Sequence, residues 1–136
     1  AEKFGDREAG EDLEVVLRIQ KAGWAVWYNA EMWMYHDIPT HRLTRDYLLT
    51  LFRGIGLSRY HTRMLSLSPW QRPVMLLPYA LNDVRKIVRH IFRYRQQVMT
   101  DTVAASEMML YVASLLSPLH SWYRYCLRQL KKKDAI

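Results

Sequence analysis

From Thr44 to the C-terminus the chain is patterned for helices. Leu48, Leu51, Phe52 and Ile55 recur three and four residues apart, which predicts a helix from Thr44 to about Met64 with those residues facing inward. Ser68-Pro69-Trp70 and Arg72-Pro73 predict a break after it. A second helix is expected over roughly residues 79–98, with Leu81, Val84, Val88 and Ile91 on one face and Arg85, Lys86, Arg89 and Arg93 mostly off it. A third is expected over about residues 102–130, broken near Ser117-Pro118. The apolar stretches 73–81 and 103–119 are interrupted by Pro78 and Glu107. Neither reaches the roughly 18–20 clean apolar residues of a membrane span, so burial within the domain is expected, with contact at a membrane interface as the alternative.

The segment before Thr44 reads differently. GEDLEVVLRIQKAGW, residues 10–24, places Leu13, Val16, Leu17 and Gln20 on one helical face. Acidic residues crowd the first turn, Arg18 and Lys21 occupy the last, and Gly23 supplies a left-handed cap, so a helix is predicted over about residues 11–22. Trp24–Tyr28 favours a strand, Asn29-Ala30-Glu31 a turn, and MWMYH, residues 32–36, a second short strand that Asp37-Ile38-Pro39 ends. The expected fold class is therefore α/β in its first part, a helix plus two short strands, and mostly α-helical after that.

Charge divides the chain along similar lines. Residues 1–39 hold four Lys/Arg against eight Asp/Glu, whereas residues 40–99 hold eleven against two and residues 100–136 five against three. The basic part favours nucleic acid, anionic lipid or phosphorylated small molecules as partners. A lone cysteine, Cys126, excludes an internal disulfide and an all-cysteine zinc site, and His41, His61, His90 and His120 show no ligand spacing.

Two adjacent carboxylates, Glu11 and Asp12, stand at the mouth of the first helix. Their plainest role is structural, since acids in a first turn interact favourably with the helix dipole by roughly 0.3–1 kcal/mol each. The same position holds a carboxylate ionised and fixed in direction, which is what a general base requires. Neighbours on a helix point about 100° apart, so the two are no facing acid/base pair. One would do chemistry while the other orients a substrate.

The ordered set Gly10-Glu11-Asp12, an amphipathic helix with Leu17-Arg18, Lys21-Ala22-Gly23-Trp24, Tyr28-Asn29-Ala30 and a run closing in His36 resembles the C-terminal half of the catalytic domain of family 2 glycosyltransferases, of GT-A fold. RLTRDYLLTLFRGIGLSR, residues 42–59, further resembles cyanobacterial members linked to hormogonium-polysaccharide synthesis. The resemblance implies residues 1–40 as the C-terminal part of a GT-A domain truncated at its N-terminus, and residues 41–136 as a basic, mainly helical extension. It implies Asp12 as the catalytic base that takes a proton from an acceptor sugar hydroxyl, whose oxygen then attacks the anomeric carbon of a nucleotide-sugar with inversion. Glu11 would position the acceptor, and His36 would lie toward the donor diphosphate or its metal. Arg53, beside Gly54 and Gly56, would neutralise charge on the departing diphosphate; the glycines themselves each cost about 1 kcal/mol in a helix, which close helix packing or close approach of a ligand would offset.

The family's N-terminal nucleotide-binding half, with its Asp-x-Asp metal motif, has no counterpart here. The chain therefore reads as a fragment without a donor site, inactive alone, whose full-length parent would use a divalent metal (Mg or Mn). The partners implied are a nucleotide-sugar, a saccharide or lipid-linked acceptor and the missing half. The implied location is cytoplasmic, peripheral at the inner face of the plasma membrane. A different class of function is a non-enzymatic basic helical module on anionic membrane, helped by Lys131-Lys132-Lys133. Nucleic-acid binding would draw on Tyr47, Phe52, Tyr60 and Trp70 interleaved with arginines, but several of these sit at inward positions and no recognised motif accompanies them.

Overall fold

The computed structural model describes residues 11–133, and among them every regular element is a helix. Helix α1 covers Glu11–Lys21 and a 3-10 turn covers Thr40–Leu43. Helices α2 (Arg45–Leu65), α3 (Gln71–Tyr94), the single-turn α4 (Gln97–Thr100) and α5 (Thr102–Lys133) follow. The long helices assemble around α5, with α2 lying along it over the greatest length and α3 beside it.

Helix α1 stops where its glycine dictates. Gly23 has φ +89°, its N–H donates to the Gln20 carbonyl at 3.0 Å, and the Trp24 N–H donates to the Ile19 carbonyl at 3.2 Å. These two bonds form a complete Schellman closure, which satisfies carbonyls that the helix end would leave open.

The α/β expectation is overturned beyond that point. No strand exists among the described residues, and segments 24–28 and 32–36 run side by side in sequence without a ladder between them. The turn joining them does form: the Glu31 N–H donates to Asn29 Oδ1 at 3.0 Å and the Met32 N–H to the Asn29 carbonyl at 3.4 Å. What fails is the sheet. The aromatic residues that suggest strands fit a pleated surface with something packed on it. Here Trp33 is 89 % exposed and Tyr35 fully exposed, so the two arms have no layer to cover and an isolated hairpin is marginal.

Helix α2 matches its expected span, with Leu48, Leu51, Phe52 and Ile55 half-buried. Thr44 holds the N-cap position, but its hydroxyl donates to the His41 carbonyl at 3.0 Å instead of accepting a helix N–H. Helix α3 starts at Gln71, earlier than expected, because Pro73 falls in the first turn, where its missing N–H has no partner to lose. It passes through Pro78 and ends at Tyr94, where Arg95 takes a φ of +45°. The expected break at Pro118 is also absent. Pro118 cannot bond the Ser114 carbonyl, and the Ser117 hydroxyl donates to that carbonyl instead, at 2.6 Å, so α5 continues.

The interior is built from small and polar residues. Gly56 and Ser58 of α2, Asp83 and His90 of α3, and Ala104, Ser106, Ala113, Ser114 and Ser117 of α5 are all buried, with Met64 the one long apolar side chain among the buried described residues. At Gly56 the helices nearly touch: a Cβ there would lie 2.5 Å from Ala113 Cβ and 2.7 Å from the Leu110 carbonyl oxygen. Close packing of α2 on α5 thus offsets the helix cost of Gly56. The large apolar side chains of α3 and much of α5 lie on the outside.

Candidate functional site

Asp12 sits in the first turn of α1, exposed, and makes no hydrogen bond or ion pair with another described residue. Glu11 opens the same helix, but its side chain lies outside what is described. One turn further, Glu14 accepts from Arg18 Nη2 at 2.6 Å and Nε at 2.9 Å, and its second oxygen lies 3.4 Å from His61 Nε2 of α2. The Arg18 hydrogen bonds, aided by His61, hold the Glu14 carboxyl below its ordinary value. This contact seats α1 on α2.

His36 is exposed at the end of the extended segment, with no side-chain partner among the described residues. Arg53 is exposed on α2 at a groove of about 370 Å³ between α2 and α5, walled by Leu57, Met109, Val112, Leu116 and Tyr123. No hydrogen bond, ion pair or shared cavity among the described residues joins Asp12, His36 and Arg53. Nor do three His, Cys, Asp or Glu side chains come close enough among the described residues to hold a metal ion. For the divalent metal that the resemblance implies, His36 has no second ligand beside it among the described residues.

The most strongly organised polar group is one that sequence reasoning missed. Asp83, 1 % exposed, accepts from Arg63 through Nη1 at 2.7 Å and Nη2 at 2.9 Å, and from the Ser114 hydroxyl at 2.8 Å. The Arg63 guanidinium also lies over the Tyr79 ring at 4.8 Å. Burial pushes the Asp83 carboxyl up, but the bonds from Arg63 and Ser114 and the charges of Arg63 and Lys86 outweigh it, leaving the carboxyl below its ordinary value. Burial, with the nearby Arg63 charge, lowers Arg59 beside it. Next to this network is a cavity of about 20 Å³, room for one water. A second polar tie lies deeper along α3: His90 Nε2 meets the Ala104 carbonyl at 2.8 Å, and Nδ1 lies 3.5 Å from Glu107. Both groups join helices and line no open cleft. Their signal in the sequence was that Asp83 is the single acid in the otherwise cationic stretch 71–94.

The stretch Thr102–Leu130 of α5 is long and apolar enough to cross a membrane, by length and composition, and only 28 % of its most apolar window is buried. The expectation that this segment is buried within the domain is met on one side only, where Ala104, Ser106, Ala113, Ser114 and Ser117 face the other helices. No protein family, curated protein or solved structure matches the chain.

Proposed function

We propose that the chain is the acceptor-side, C-terminal portion of an inverting family 2 glycosyltransferase that builds polysaccharide, with Asp12 as its general base. The observation carrying this reading is the Asp12 carboxylate, exposed near the start of α1 and without a partner among the described residues, within the ordered motif of residues 10–36. A carboxylate engaged only in capping its own helix would do the same for stability, so the motif around it supplies the choice. In this reading Asp12 removes the acceptor hydroxyl proton, the oxygen attacks the anomeric carbon of a nucleotide-sugar, and Glu11 orients the acceptor. Donor and divalent metal (Mg or Mn) are held by the N-terminal half that the resemblance implies, with Arg53 and His36 contributing to the diphosphate. The acceptor is a saccharide or a lipid-linked saccharide, and the enzyme works peripherally at the cytoplasmic face of the plasma membrane.

The test is product analysis from a parent that restores the missing half. Incubation with a panel of nucleotide-sugars is expected to give a glycoside of inverted anomeric configuration by NMR, and the 136-residue chain alone negligible product. Retained configuration, or transfer by the short chain, would overturn the proposal.

A further inference from the structure

Helix α3 turns its apolar side away from the protein. Val74, Leu77, Leu81, Val84, Val88 and Ile91 follow one another three and four residues apart and are each 43–66 % exposed. At 100° per residue they occupy a stripe about 100° wide, and at 1.5 Å rise it is about 26 Å long. The opposite side is fixed inward by Asp83 and His90, both buried and bonded to α2 or α5. The outward orientation is thus set by the polar ties and not by chance of packing. Arg85 borders the stripe and Arg89 stands one helical turn on and further round the helix, both exposed. Asp83, the one acid of α3, is buried and occupied by Arg63, so the charged side chains on the outside of this helix are all basic.

We infer that α3 is a membrane-docking helix that lies in the surface of an anionic bilayer, its apolar stripe among the upper acyl chains and its arginines on lipid phosphates. An apolar stripe bordered by cations is the pattern of helices that rest in the interface plane. Charge decides among occupants. A second copy would cover the stripe but supply no anion to its arginines, whereas anionic headgroups are complementary to them. A crossing orientation is disfavoured for the helix group as a whole. Ser114, in the middle of the apolar stretch of α5, is bonded to Asp83 and through it to Arg63, so sinking α5 to mid-bilayer would carry that ion pair with it. Small residues at the helix contacts with large apolar residues outside also suit helices whose surroundings are partly lipid. The inference stands independently of the transferase reading, because its test measures binding and not sugar transfer.

The experiment uses the full 136-residue chain with Cys126→Ser and a single new cysteine, Val88→Cys on the stripe or Asn82→Cys on the flank, each carrying an environment-sensitive fluorophore. Vesicles are phosphatidylcholine with or without phosphatidylglycerol. The probe at position 88 is expected to shift to the blue and to be quenched by shallow lipid quenchers with anionic vesicles only, and the probe at 82 to respond far less. Arg85→Ala with Arg89→Ala should weaken partitioning by about 30-fold, taking the typical gain per basic residue at such a surface. Leu81→Asp with Val84→Asp should abolish it, with helix content unchanged because both positions are exposed. Pelleting with vesicles while the probe at 88 stays water-like would overturn the inference and move the contact to α5. A blue shift without vesicles, accompanied by a doubled mass, would overturn it in favour of self-association.

Discussion

Removing the Asp83 carboxylate should cost far more than removing the Asp83–Arg63 pair. Asp83 is 1 % and Arg63 19 % exposed at the side chain, and Asp83 takes two bonds from the guanidinium and one from Ser114. Breaking one partner of a buried ion pair typically costs about 3–5 kcal/mol, because the survivor is left charged without compensation. Arg63 keeps the Tyr79 face and some contact with water, which places Asp83→Ala toward the lower end, about 3 kcal/mol. Replacing the pair by apolar residues of similar volume, Arg63→Met with Asp83→Leu, removes the desolvation penalty along with the attraction. It should return stability to within about 1 kcal/mol of the parent chain. Urea unfolding followed by far-ultraviolet circular dichroism measures both. A single variant costing less than about 1 kcal/mol, or a double variant no better than the single, would refute the reasoning. The pH dependence carries the same logic. The folded carboxyl lies below its ordinary value of 3.8, so its contribution is complete above about that pH and is lost as the pH falls through the folded value. The parent and Asp83→Asn should therefore converge in stability below that pH.

Three smaller substitutions probe the helix contacts and the α1 cap. Gly56→Ala should destabilise by about 2 kcal/mol despite a helix-propensity gain of about 1 kcal/mol, because the new methyl meets Ala113 Cβ and the Leu110 carbonyl. Adding Ala113→Gly should rescue it only in part, since the Leu110 oxygen is backbone; equal stability of parent and Gly56→Ala in thermal melts would contradict the contact. Ser117→Ala should cost about 1 kcal/mol where Pro118 is present and much less in a Pro118→Ala background, a coupling measurable by a double-mutant cycle. Gly23→Ala should fray the end of α1, costing about 1 kcal/mol locally, which faster amide exchange at Gly23's neighbours would report.

Local signals proved readable and tertiary ones did not. The glycine closure of α1 follows from capping chemistry and the span of α2 from periodicity, both of which act within a few residues. Prolines misled in both helices that contain them in the interior. At Pro118 the Ser117 hydroxyl reaches the carbonyl that the proline leaves free. Strand propensity misled at Trp24–His36 because propensity describes a fit to a layer, and no described residue provides one. The Arg63–Asp83–Ser114 network joins residues 20 and 31 positions apart, so no window of sequence contains it. Its trace was a single acid among five basic residues of α3, costly unless paired. Which way the apolar face of α3 points was equally invisible, since periodicity locates a stripe without saying what covers it.

The central claim concerns Asp12, and one comparison tests it directly: sugar transfer by a full-length parent and by its Asp12→Asn variant, with nucleotide binding and folding checked in both. The asparagine preserves size and one acceptor oxygen but cannot take a proton. General-base catalysis contributes about 10²–10⁴ in rate, so transfer should fall by at least about 100-fold with nucleotide affinity unchanged. Near-normal transfer would leave Glu11 and Asp12 as helix-start residues and remove the catalytic reading of this segment.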